Sequence, residues 1–243
     1  MPKPLILVMP LLLSSSGFFS ACAFGQSSRP EIGIGVNVST LGAGIQGAVS
    51  VTSRSNLRAG LNAFNFDHSF VKDGIDYSGQ LKLRSALITY DQFLIGGFHI
   101  SPGVLIYDGN RVSASASVPA GQPFTLGGRD FYSNQANPVS GSGALSAGKV
   151  APMILLGFGN LLPRSERHFG LNFEAGVVYQ GSPRATLSLA GSSCLISPSS
   201  GCANTATDQT VQTSLLSEQA KLNSELTPFK FYPVVSIGFS YKF

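Results

Sequence analysis

The chain of 243 residues has no tryptophan, only three histidines and three cysteines, and a charged fraction of just 12%. Each shortage excludes something. No histidine has cysteines or carboxylates at ligand spacing, so no metal is expected. No glycine run follows a strand and opens a helix, so no phosphate loop, and no cofactor, is expected. The net charge of +4 is spread without a basic, aromatic-interleaved stretch, which argues against nucleic acid as a partner. A soluble domain carries about 25% charged residues, roughly twice this fraction. Beyond the N-terminus, no apolar run approaches the ~20 residues a membrane helix needs.

The N-terminus reads as a leader. Lys3 precedes an apolar stretch over Leu5–Leu13, and Ala21-Cys22-Ala23 has the A-x-A form of a secretory cleavage site. The expectation is a signal peptide over 1–23 and one mature domain over 24–243. A second reading takes Phe19-Ser20-Ala21-Cys22 as a lipobox, with Cys22 lipidated. Export suits the other two cysteines. Cys194 and Cys202 bracket a short Ser/Pro/Gly loop and read as one local disulfide, with a metal pair as the weaker alternative.

What the chain does contain is alternation with period two. Ile32, Ile34, Val36 and Val38 oppose Gly33, Gly35 and Asn37. Ile45, Val49 and Val51 oppose Gln46 and Ala48. Leu57, Leu61 and Ala63 oppose Arg58, Gly60 and Asn62. Leu81, Leu83 and Leu87 oppose Lys82 and Arg84. Similar runs start at Phe98, Val150 and Phe169, and the chain closes on "YPVVSIGFSYKF", Tyr232 to Phe243. Runs of this length suit tilted strands crossing a hydrocarbon layer. A soluble sandwich also alternates, but its outer face would be solvated and charged. Short turns at one end and long segments over 67–76, 111–149 and 181–229 at the other favour a membrane barrel with extracellular loops.

The expected fold is therefore all-β, an antiparallel up-and-down transmembrane barrel of eight strands, or ten if 111–149 holds another crossing pair. Within the last long loop, 208–227 changes period. Val211, Leu215, Leu222 and Leu226 share a helical stripe, with Asp208 as N-cap and Pro228 beyond the end, which predicts a short amphipathic helix. It reads either as packing on the barrel rim or as a lid, plug or interface-lying segment.

The last strand resembles the assembly signal of bacterial outer-membrane proteins: terminal Phe243, Tyr241 and Phe239 two and four back, then Ile237 and Val235, with Gly238 between. With the leader and the strand pattern, the mature chain resembles small outer-membrane barrels of the OmpA/OmpW type. It is also similar to a group of proteobacterial barrels with the same ending. That resemblance implies insertion by the barrel-assembly machinery, residence in the outer membrane, and contact with its lipids and lipopolysaccharide. No peptidoglycan-binding domain follows the barrel, so the resemblance implies no anchoring role.

If the apolar faces meet lipid, Arg58, Lys82, Arg84 and Glu174 enter the lumen with Asn37, Gln46, Asn62 and Asn172. Two readings follow. Either these groups form a sealed polar core with Glu174 bridging Arg58 or Arg84, or inward glycines leave a narrow, porin-like path for small or amphipathic solutes. A third, distant reading is lipid modification by His99 and Ser101, which share a strand face. No carboxylate is evident to orient that histidine, so an enzyme is not expected. Asp67-His68-Ser69 reads as a surface loop. Oligomeric state is not legible.

Overall fold

The computed structural model describes residues 30–107, 111–164 and 167–243. The leader over 1–23, and with it the fate of Cys22, lies outside them. Along the chain come β1 (Ile32–Ser39), β2 (Gly42–Thr52), β3 (Ser55–Lys72), β4 (Ile75–Ile95) and β5 (Phe98–Tyr107). Then follow β6 (Arg111–Ser117), β7 (Pro123–Leu126), β8 (Arg129–Ser133), β9 (Ser140–Ser146), β10 (Val150–Gly159) and β11 (Phe169–Tyr179). Last are β12 (Arg184–Ala190), β13 (Ser192–Ser197), β14 (Ser200–Asn204), helix α1 (Gln209–Leu226) and β15 (Phe231–Lys242).

Eight of these strands close a ring. The antiparallel pairings run β1–β2–β3–β4–β5–β10–β11–β15 and return from β15 to β1, where Val36 faces Phe239 and Asn37 faces Gly238. Closure leaves no edge strand within the ring. The outer surface is the expected apolar one: Ile34, Val36, Ile45, Leu61, Ile88, Leu156, Leu171, Val235 and Ile237 are all exposed. Aromatic rings gather toward the end that carries the C-terminus, where Phe169 stacks on Phe239 at 5.6 Å and meets Tyr241 at 5.4 Å. That placement matches an interfacial girdle.

The opposite end, the loop end, is taller than expected. Residues 67–76 do not form a loop. β3 and β4 continue past the ring and turn at Asp73-Gly74, both in the left-handed region at φ 54° and 77°. Two left-handed residues are what a tight two-residue hairpin requires, and Asp-Gly supplies them at low cost. β4 changes partner along its length. Ser85 and the residues after it pair with β5, whereas Asp76–Lys82 pair with β6. β9 and β12 follow β6 in order. The segment 111–149 therefore adds no further crossing pair; it builds a sheet standing on one side of the barrel mouth.

α1 lies against the outer edge of that sheet. Its N-cap is Asp208, which accepts from the Val211 amide at 3.0 Å. Gln219 accepts from the Leu187 amide at 2.9 Å, and Asn223 both accepts from the Ala185 amide and donates to its carbonyl. Side-chain amides thus cover the edge of β12, which pairs with no further strand among the described residues. A small second sheet, β14-β13-β8-β7, carries the Cys194–Cys202 disulfide across the β13–β14 hairpin.

Candidate functional site: the barrel interior

Three layers fill the barrel. At the terminal end, the β10–β11 connection folds back under the ring. Leu161 and Leu162 are buried there beside Ala48, and Asn160 accepts from both Asn56 and the Leu162 amide at 2.9 Å. The Arg164 guanidinium lies over the Phe93 ring, 4.8 Å from its centroid.

Above it sits an ion cluster. Arg58 on β3 is 2% exposed. One terminal nitrogen donates to Glu174 Oε2 at 2.7 Å and to Gln46 Oε1 at 3.2 Å; the other donates to Glu174 Oε1 and to Asp91 Oδ1 at 3.0 Å. Thr89 donates to the same Asp91 oxygen at 3.0 Å. His99 Nε2 lies 3.2 Å from Glu174 Oε1, and Nδ1 lies 3.3 Å from the Gly97 carbonyl. Asn37 on β1 donates across β2 to Asn62 on β3 at 2.9 Å. Inward glycines make room for this cluster. A Cβ on Gly157 would collide with His99, and one on Gly238 would collide with Asn172. The space expected to hold water is taken by polar side chains.

The third layer is apolar. Leu41, Leu87, Leu105, Ala151, Met153, Leu155, Val178 and Val234 pack together toward the loop end, with Tyr107 and Tyr232 against them. A fully buried leucine or valine contributes about 1.5–3 kcal/mol, so this layer is a stable stopper in its own right.

Strand β4 departs from the expected facing. Ser85, Leu87, Thr89, Asp91 and Phe93 are its buried residues, whereas Arg84 is exposed on the opposite face. Lys82 shares the Arg84 face and sits above the ring, paired with β6. Neither enters the lumen network. Apolarity alone sends the leucines of β4 to lipid, but the inside of this barrel is itself apolar at that level. The same reversal hid Asp91, the second carboxylate on Arg58.

The structure also supplies what the His99 reading lacked. Glu174 orients the ring, but toward the ion cluster. Both ring nitrogens are engaged away from Ser101, so this pair holds no activated serine. Asp67, His68 and Ser69 lie on β3, not in a loop, and His68 stacks between Phe66 and Phe70 at 6.2 and 5.9 Å. Phe239, Tyr241 and Phe243 are exposed.

No protein-family model matches the chain, and no curated protein matches it in sequence. Solved structures do. The crystal structure of Acinetobacter baumannii CarO aligns at a TM-score of 0.54 and 21% identity, over 87% of this chain and 97% of that one. That of Acinetobacter baumannii CarO2 aligns at 0.55 and 20%, over 88% and 100%. At such identity the likeness shows the fold alone: an outer-membrane-type β-barrel.

Proposed function

We propose that the chain is a bacterial outer-membrane barrel with a closed lumen, working through the sheet and loops at its outward end. One observation carries this reading: Arg58 spans the interior to Glu174 and Asp91 while only 2% exposed. A water-filled path at that level would wet the guanidinium. Removing a buried ion pair's partner costs about 3–5 kcal/mol, so the cluster does not part readily for a passing solute. The stopper above it and Leu161-Leu162 below close the same path twice more.

The outer-membrane location is supported by the apolar exterior, the aromatic terminal strand and the secretory form of residues 1–23. Insertion by the barrel-assembly machinery, through Phe239, Tyr241 and Phe243, follows from the same ending. Both termini then face the periplasm, and β6, β9, β12 and α1 stand outside the cell among lipopolysaccharide. Porin-like passage of small or amphipathic solutes is the competing reading. A liposome-swelling assay separates them. Vesicles with the folded protein should swell no faster in arabinose or glycine than empty vesicles; swelling that scales with protein content would favour passage.

A further inference from the structure

The sheet standing over the barrel mouth has two unlike faces. One continues the outside of the barrel and carries Asp67, Ser78, Ser115, Ser142 and Ser188. The other continues the lumen and is mostly apolar: Phe66, Leu81, Val112, Ala114, Leu145 and Leu187 follow one another across the strands in register, with His68 stacked between Phe66 and Phe70. Nothing among the described residues covers this inner face fully. Phe66 is 53% exposed and Phe70 is 49% exposed. A cavity of 390 Å³ lies on it, bounded at the far side by Leu222 of α1.

A second cavity, of 410 Å³, lies in the barrel mouth. The two share Leu81, Val112 and Leu145, so they form one groove. From Gly79 to Ser85 along β4 it runs for roughly 20 Å at ~3.3 Å per residue, the reach of a long acyl chain. His68, Gln80 and Ser113 line the sheet half, but the cation and the unmatched hydroxyls lie at the mouth. Lys149 is the one charged residue among the described residues that line either cavity, and no carboxylate lines them. Beside it, the hydroxyls of Ser85 and Tyr107 are buried without a hydrogen-bond partner among the described residues. Ser85 and Tyr107 face each other across β4 and β5, and the Tyr107 amide donates to the Lys149 carbonyl at 2.8 Å.

We infer that this groove binds a single long-chain fatty acid, its carboxylate at Lys149, Tyr107 and Ser85 and its tail along Phe66, Leu145 and Leu187. A cation and two unmatched hydroxyls at one end of an apolar channel complement a carboxylate with one tail. The combined volume is that of a small-ligand site. The assignment rests on the closed-lumen reading only in that the ligand enters from the outward end. A binding failure with silent vesicles would sink this inference alone, and swelling vesicles would sink that reading alone.

The absence of tryptophan supplies the test. The full chain is folded into phosphatidylcholine nanodiscs with a single reporter, Phe66→Trp in the groove or Asn65→Trp on the opposite face of the same strand. 9,10-Dibromostearate is titrated as quencher. Quenching should saturate for Phe66→Trp and not for Asn65→Trp. Adding Ala114→Phe should abolish it, and Lys149→Glu should weaken it about tenfold, as expected for losing a charge-assisted contact. The dibromostearate methyl ester should bind about as weakly as the acid does to Lys149→Glu. Equal quenching in both reporters, or quenching that never saturates, would overturn the site as mere partition into the bilayer. Quenching of Phe66→Trp by brominated phosphatidylcholine alone would overturn the fatty acid as its occupant.

Discussion

Arg58 on β3 grips Glu174 on β11 with both terminal nitrogens, across the barrel and 116 positions along the chain. The pair ties together strands that are not neighbours in the ring. It is therefore both a lock on the cross-section and a point where the closed-barrel account is exposed to mutation.

Glu174→Gln should lower stability by about 3–5 kcal/mol, because it leaves Arg58 buried beside Asp91 alone. Arg58→Met should cost at least as much, since it leaves the buried Glu174 and Asp91 carboxylates without their cation. The double variant should be less damaging than the sum of the two. Guanidinium unfolding of the micelle-folded protein, run as a double-mutant cycle, checks this.

Gly157 and Gly238 are small because His99 and Asn172 occupy the space in front of them. Gly157→Val should destabilise the barrel by about 1–3 kcal/mol through overpacking. Combining it with His99→Ala should recover much of the loss. If those glycines instead bordered open water, either substitution would be nearly silent, and the gel shift between heated and unheated samples would not change.

The Cys194–Cys202 bridge lies in the small sheet, away from the ring. Reduction should release about 2–3 kcal/mol of loop constraint locally. Limited proteolysis should then cut around 192–204, while the barrel strands stay protected. Joint loss of hairpin and barrel would show that the two sheets fold as one unit.

Gln219 and Asn223 take the place of a neighbouring strand along β12. Replacing both by alanine should raise amide exchange at Ala185 and Leu187 and leave α1 helical. Hydrogen exchange read by mass spectrometry over 184–190 measures it directly.

Much of this was legible in the residues. Period-two runs placed the eight ring strands, and Asp208 with Pro228 bracketed α1, because both signals are local. The facing of β4 and the place of Asp91 have one physical source. On β4 the alternation is clear, but both faces are apolar somewhere: one meets lipid at Ile88, the other meets the inner stopper at Leu87. Composition of one strand does not say which side is which. The partners that decide it, Leu105 and Leu155, come from other strands. Asp91 went unseen for the same reason. The height of the β3–β4 hairpin was readable, since Asp73-Gly74 between alternating runs is a strong turn signal. Reading 67–76 as a loop gave its polar residues more weight than that dipeptide. The pairing of β6 with the upper half of β4 had no local signal, because a strand's change of partner is a property of the assembled sheet.

The closed interior is tested most directly by single-channel recording of the folded protein in planar bilayers. The account predicts silence for the native chain across ±100 mV (a range of about 2.3 kcal/mol per charge at each limit), and current steps only when Arg58, Glu174, the Leu161-Leu162 turn and the stopper residues Leu87, Leu105 and Leu155 are replaced together by alanine. Regular current steps from the native, fully folded protein would contradict it.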